Sequence, residues 1–142
     1  MKILFVCTGN TCRSPMAELF FNHHRRSIGK SPCAGSCGIS TADGLPISTN
    51  AAAVMRENEI DPDAFASTAA TRKIIDEADF IFTMTSSHRR ALVSALPEHE
   101  GKIFTLLGDD DVSDPFGQST DVYRQTFEMM RPRLTEIAEK MP

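Results

Sequence analysis

The sequence predicts an α/β sandwich of three layers, with a parallel sheet of about four strands flanked by helices. Three observations predict it. Short apolar runs rich in β-branched and aromatic residues alternate with longer segments of helical period. The first run, Ile3-Leu4-Phe5-Val6, is apolar at every position, as a strand buried on both faces of a parallel sheet requires. That run passes through a polar loop directly into a helix start. The 142 residues are near the commonest size of a single domain, and no internal repeat, low-complexity tract or interdomain linker divides them, so residues 1–142 read as one domain.

The elements follow in order. After strand Ile3 to Val6, Pro15 suits a first helical turn, and Met16, Leu19, Phe20 and Ile28 form a rough apolar stripe. Cys33 to Ile39 is Gly-rich and reads as a weak strand. A helix is expected near Ser48 to Glu57 and a short one around Arg72 to Glu77. Phe80 to Met84 is a second strong strand; Ser86 or Ser87 caps a helix that Pro97 bounds, and Lys102 to Leu107 is the last strand. Thr120 to Lys140 closes the chain as a long helix in which Pro132 implies a kink or break.

Composition narrows the function classes. Fifteen Lys and Arg against nineteen Asp and Glu leave a net charge of −4, so no overall positive field gathers nucleic acid or anionic lipid. An anionic substrate must be captured by a local site. No stretch approaches the roughly 20 apolar residues that span a bilayer, and the N-terminal apolar run is too short for a secretory signal. A cytoplasmic protein is therefore expected, and a monomer is expected beside it. In a reducing compartment, Cys7, Cys12, Cys33 and Cys37 read as reactive thiols rather than a disulfide framework.

The most reactive residues cluster in the loop after the first strand, where open parallel sheets bind ligands and a helix N-terminus attracts anions. Between Cys7 and Arg13 lie Thr8, Gly9, Asn10, Thr11 and Cys12. Gly9 and Asn10 are residue types that tolerate positive φ, so successive N–H groups can curl into an anion nest. Cys7 would face the helix end, these N–H groups and the Arg13 guanidinium, each of which favours thiolate over thiol. Arg13 offers a planar fork matched to two phosphoryl oxygens, and Ser14 can donate a hydrogen bond to the departing sulfur. The chemistry this assembles is nucleophilic phosphoryl transfer.

Such a reaction also needs an acid for the leaving group. Asp114-Pro115-Phe116-Gly117 follows the last strand, where a carboxyl on a proline-held turn can reach over the loop of the first. Asp109, Asp110 and Asp111 are rivals for this role, although together they read as a solvated acidic turn without the alternating spacing of a calcium loop.

These residues carry a resemblance. Val-Cys-Thr-Gly-Asn-Thr-Cys-Arg-Ser-Pro at residues 6–15 and Asp-Pro-Phe-Gly at 114–117 resemble the low-molecular-weight protein-tyrosine phosphatases. The likeness implies a flavodoxin-like four-stranded sheet over the whole chain. It also implies Cys7 as nucleophile, Arg13 as phosphate clamp, Asn10 and Ser14 as loop organisers and Asp114 as acid and later base, acting on phosphorylated proteins without metal or cofactor.

Thr11 and the stretch from Asp114 to Thr126 look more like the bacterial protein arginine phosphatases, since tyrosine-directed relatives usually carry Ile or Leu where this chain has Thr11. A threonine there leaves room for a guanidinium and can meet its N–H groups, where an aliphatic side chain would leave those donors unpaired. A merely tolerated β-branched loop residue is the plain alternative. Phe116 would wall the substrate and can stack on an aryl ring or a guanidinium plane alike. Cys12 could pair oxidatively with Cys7 or simply pack.

Cys33 and Cys37 depart from the family's usual Ser-Ala-Gly, and a C-x3-C pair with no second ligand pair makes a poor zinc site. His23, His24, His88 and His99 read as exposed helix or loop residues. Three other functions stay open: tyrosine phosphatase by the same machinery; arsenate reduction, which would want a relay cysteine in the second half that this chain lacks; and a non-catalytic phosphate-binding module.

Overall fold

Strand β1 (Ile3–Cys7) is buried along its whole length and forms the middle of the molecule, as its uniform apolarity demands. A computed structural model describes all of residues 1–142. The remaining elements are α1 (Arg13–Ser27), β2 (Ala34–Gly38), α2 (Thr49–Glu57), α3 (Arg72–Glu77), β3 (Phe80–Thr83), α4 (Ser86–Ala95), β4 (Ile103–Thr105) and α5 (Thr120–Lys140). A 3₁₀ segment, Pro97–Lys102, links α4 to β4.

The four strands lie in the order β2-β1-β3-β4 and every neighbouring pair is parallel. Side chains alternate across β1. Ile3 and Phe5 join Met16 and Phe20 of α1, Met55 of α2, and Phe127 and Leu134 of α5 on one face. Leu4 and Val6 join Ile75 of α3, Leu92 of α4, Ile81 and Ile103 on the other. Because the chain leaves β1 toward β2 and later returns to its far side as β3, the strand order reverses at β1. That is the point where the carboxyl ends of an open sheet leave a crevice for a ligand.

Polar side chains hold the helices to this frame. The Nζ of Lys102 donates to the carbonyls of Ile75, Asp76 and Ala78 at 2.7–3.1 Å, closing the C-terminus of α3. Arg25, 2% exposed, donates to the carbonyls of Ser31, Ala138, Met141 and Pro142, so the end of α5 is tied to α1.

Several boundaries differ from those read in the sequence. Ile28 lies past the end of α1 and is exposed, so the apolar stripe stops at Phe20 and Phe21. Thr85, not Ser86 or Ser87, caps α4: its Oγ1 accepts from His88 N at 3.1 Å. The last strand shrinks to Ile103–Thr105, since Lys102 ends the preceding 3₁₀ segment and Leu106 begins a turn. Pro132 does not interrupt α5, which runs unbroken for 21 residues. Pro132 and Glu128, whose carbonyl the proline leaves without its helical donor, both face solvent, while Met130, Leu134 and Ile137 anchor the buried face.

Candidate active site

The loop that follows β1 is suspended between two strand ends. The N–H groups of Ile39 and Ser40 donate to the carbonyls of Cys7 and Thr8, both at 3.0 Å. Gly38, the last residue of β2, lies so close beneath that a Cβ there would sit 2.6 Å from the Thr8 carbonyl oxygen. No side chain fits at that position, which explains a glycine that the sequence marked only as part of a weak strand.

Inside the loop, Asn10 alone takes the left-handed conformation, at φ 55°, whereas Gly9 does not. Of the two residues read as tolerating positive φ, only Asn10 uses it. Asn10 holds the strained turn because its amide is fully used: Nδ2 donates to Ser14 Oγ at 2.8 Å and Ser36 Oγ at 2.9 Å, and Oδ1 accepts from Thr68 N at 2.8 Å. Ser36 Oγ in turn donates to Glu18 Oε1 at 2.8 Å; burial raises the Glu18 carboxyl above its ordinary range, against the pull of Ser36. Ser36, Thr68 and Glu18 were not foreseen as partners, since only folding brings β2, a distant loop and α1 to one amide.

Cys7 lies at the bottom, 2% exposed, its Sγ 2.8 Å from Ser14 Oγ and accepting from Asn10 N at 3.2 Å. The N–H groups of Thr8, Gly9, Thr11 and Cys12 have no acceptor within the protein, and helix α1 starts without a side-chain cap. Unpaired donors converging on a helix N-terminus are the ingredients of an oxyanion cradle. Arg13, 5% exposed, is held by one prong: Nη1 donates to the buried carbonyl of Val112 at 3.0 Å, which leaves Nε and Nη2 for an anion. Its Nη2 also lies 3.7 Å from Asp114 Oδ2.

Asp114 reaches the site from the loop before α5. Its Oδ1 accepts from Phe116 N at 3.1 Å, the turn that the Asp-Pro-Phe-Gly string implied. Cys7, Thr8, Gly9, Asn10, Thr11, Cys12, Arg13, Asp114 and Phe116 together line one pocket of about 250 Å³. Ser14, also expected in the site, is buried beneath it. Phe116 stands at the mouth, 75% exposed. Thr11 Oγ1 has only the Cys12 sulfur, at 3.8 Å, as a partner, so its hydroxyl is available to a ligand.

Cys12 is a free thiol directed at Tyr123 OH, 3.3 Å, and Ser48 Oγ, 3.6 Å; burial, with Cys12 beside it, pushes the Tyr123 phenol up to about 12. Cys33 and Cys37 are free as well, and burial drives the Cys37 thiol up to about 12. Asp109, Asp110 and Asp111 are exposed and line no part of the pocket, although Asp111 accepts from Ser86 N. His88 corrects the expectation of an exposed histidine: it is 6% exposed and its Nε2 lies 2.8 Å from Thr8 Oγ1. A larger hollow of about 560 Å³ at the amino end of β1 is bordered by Cys33, but Lys2 there pairs with Glu77 rather than with the thiol.

The chain is similar to known proteins over nearly its whole length. The family model described as low molecular weight phosphotyrosine protein phosphatase matches residues 2–142. A protein-arginine-phosphatase of Geobacillus stearothermophilus is 37% identical, over 99% of this chain and 95% of its own length. A low molecular weight protein-tyrosine-phosphatase, PtpB, of Staphylococcus haemolyticus is 38% identical over 92% of each. Among solved structures, a mutant of the YwlE arginine phosphatase with a phosphorylated active-site serine superposes with a TM-score of 0.93 at 32% identity, covering 99% of this chain and 95% of that one.

Proposed function

Since the chain belongs to the low molecular weight phosphotyrosine protein phosphatase family and is a cysteine-dependent protein phosphatase, we propose that it hydrolyses phosphoarginine in proteins through a phosphocysteine on Cys7. The observation that carries this reading is Thr11: a hydroxyl without a strong internal partner lines the same pocket as Cys7, Arg13 and Asp114. A guanidinium brings N–H donors that must find acceptors once water is excluded, and Thr11 offers one where an aliphatic residue would offer none.

In the first step the Cys7 thiolate attacks phosphorus in line. An S–P bond forms as the P–N bond breaks, and the electron pair that leaves with nitrogen takes the proton of Asp114. The free loop N–H groups and the Nε/Nη2 edge of Arg13 receive the equatorial oxygens as charge builds on them. In the second step the Asp114 carboxylate takes a proton from water. The water oxygen bonds to phosphorus as the S–P bond breaks, and the Ser14 hydroxyl, 2.8 Å away, donates to the departing sulfur. Nitrogen leaves badly unless protonated, so the acid matters more here than for an aryl oxygen.

The second reading, phosphotyrosine hydrolysis by the same steps, is favoured by the PtpB relative and by the exposed Phe116 ring at the mouth. The two separate in a side-by-side assay on peptides that differ only in the phosphorylated residue. We expect higher kcat/KM on phosphoarginine without added metal, and a Thr11→Ile variant whose preference moves toward phosphotyrosine by roughly tenfold or more. Equal or reversed wild-type values would overturn the arginine assignment and leave the phosphatase standing.

A further inference from the structure

We infer that Thr8 is a second specificity-determining contact for the substrate's leaving group and that His88 is the residue that positions it, an inference that rests on the phosphoarginine reading. Thr8 is the first residue beyond β1, and its side chain is exposed at the pocket mouth while Cys7 is buried at the bottom. A phosphoryl group seated on Cys7 therefore brings its leaving group up to the level of Thr8, Thr11 and Phe116.

His88 comes from the first turn of α4, on the opposite side of the switch point from β2. Its backbone N–H is held by the Thr85 cap, and its ring is buried with Nε2 2.8 Å from Thr8 Oγ1 and Nδ1 without any partner. The unpartnered Nδ1 decides the tautomer. A proton there would be a buried N–H with no acceptor, a costlier defect than a bare lone pair, so the proton belongs on Nε2 and is donated to Thr8 Oγ1. Burial first, and Arg13 second, lower this histidine to about 4 against the opposing pull of Asp111 and Asp114, which keeps the ring neutral as the assignment requires.

The consequence falls on Thr8. With one lone pair taken by His88, the O–H and the second lone pair share the two remaining positions on Oγ1, and no other protein group occupies them, so a lone pair is free to accept from a ligand in the pocket. A guanidinium N–H satisfies it; the face or edge of an aryl ring does not. The two threonines of the loop would then grip a guanidinium from two directions, with Thr8 held by a residue 80 positions away in sequence.

The test measures kcat/KM on a phosphoarginine peptide and on the matching phosphotyrosine peptide for wild type, Thr8→Val, His88→Leu, His88→Gln and the Thr8→Val/His88→Leu double variant, with melting temperatures alongside. Glutamine carries an amide nitrogen near the place of Nε2 and can still donate to Thr8. We expect Thr8→Val and His88→Leu each to lower the phosphoarginine-to-phosphotyrosine ratio by about tenfold, the double variant to lower it no further, and His88→Gln to recover most of it. Equal losses on both substrates, additive effects in the double variant, or a glutamine no better than leucine would each overturn the inference. A wild type that prefers phosphotyrosine removes the substrate reading and this inference together; a wild type that prefers phosphoarginine but whose ratio ignores Thr8 and His88 removes this inference alone. Thr8→Val keeps the shape of an exposed side chain, and its melting temperature reads the cost of leaving His88 Nε2 unpaired, so its substrate ratio stands even if the histidine variants fold poorly.

Discussion

Replacing Gly38 by alanine tests whether the end of β2 shapes the phosphate loop. The added methyl would meet the Thr8 carbonyl oxygen at 2.6 Å, Thr41 Cγ2 at 2.9 Å and Asn10 Cβ at 3.1 Å. The threonine methyl can swing aside, but the carbonyl is backbone, and it also accepts the Ser40 N–H. Ordinary contact begins near 3.4 Å, so the loop or strand must give by about 0.8 Å. Overpacking of this kind costs about 1–3 kcal/mol of stability. Because the displaced segment runs from Cys7 to Asn10, misplacement on the order of 1 Å should lower kcat/KM by roughly 100-fold. Steady-state kinetics on a phosphopeptide and a urea melt would read the two effects. A Gly38→Ala protein with wild-type kcat/KM would refute the reasoning, whatever its stability, by showing that the close approach does not set the loop's shape.

Other outcomes follow from the same site. Cys7→Ser should abolish turnover while retaining inorganic phosphate binding by calorimetry, because the N–H cradle and Arg13 remain; appreciable activity would exclude the phosphocysteine. Asp114→Asn should cut kcat by about 10²–10⁴ on phosphoarginine and by less on an aryl phosphate with a good leaving group, and an equal loss on both would deny it the acid's part. Because His88 is depressed from 6.5 to about 4 in the fold, the unfolded chain binds its proton first as pH falls. Its contribution to stability is full above about 6.5 and is lost down through about 4, so melts across that window should fall more steeply for wild type than for His88→Leu. Parallel curves would refute the buried neutral ring.

Much of the site was legible because its chemistry is local in sequence. Cys7 to Ser14 form one uninterrupted loop between a strand and a helix, so nucleophile, donors and clamp come preassembled by chain connectivity. Asp114 was legible through its turn: a proline and a glycine within three residues advertise a fixed bend. What escaped were the supports. Nothing in the sequence around Ser36, Thr68, Glu18 or Val112 announces that they hold Asn10 or Arg13, since each is an ordinary residue whose role exists only in contact. His88 was misjudged for a related reason. A histidine one turn into a helix is exposed or buried according to where that helix packs, and local pattern does not contain that information.

The sequence by itself determined the alternation of strands and helices, the reactive loop and the acid turn, because strand burial, backbone conformation and side-chain chemistry are encoded over a few neighbouring residues. Only the tertiary structure decided which groups meet: Gly38 under Thr8, Val112 behind Arg13, Asp114 over the loop from a hundred residues downstream, and His88 against the rim. Those meetings are set by the strand order β2-β1-β3-β4 and by the packing of helices on both faces, which bring distant carboxyl ends of strands to one crevice.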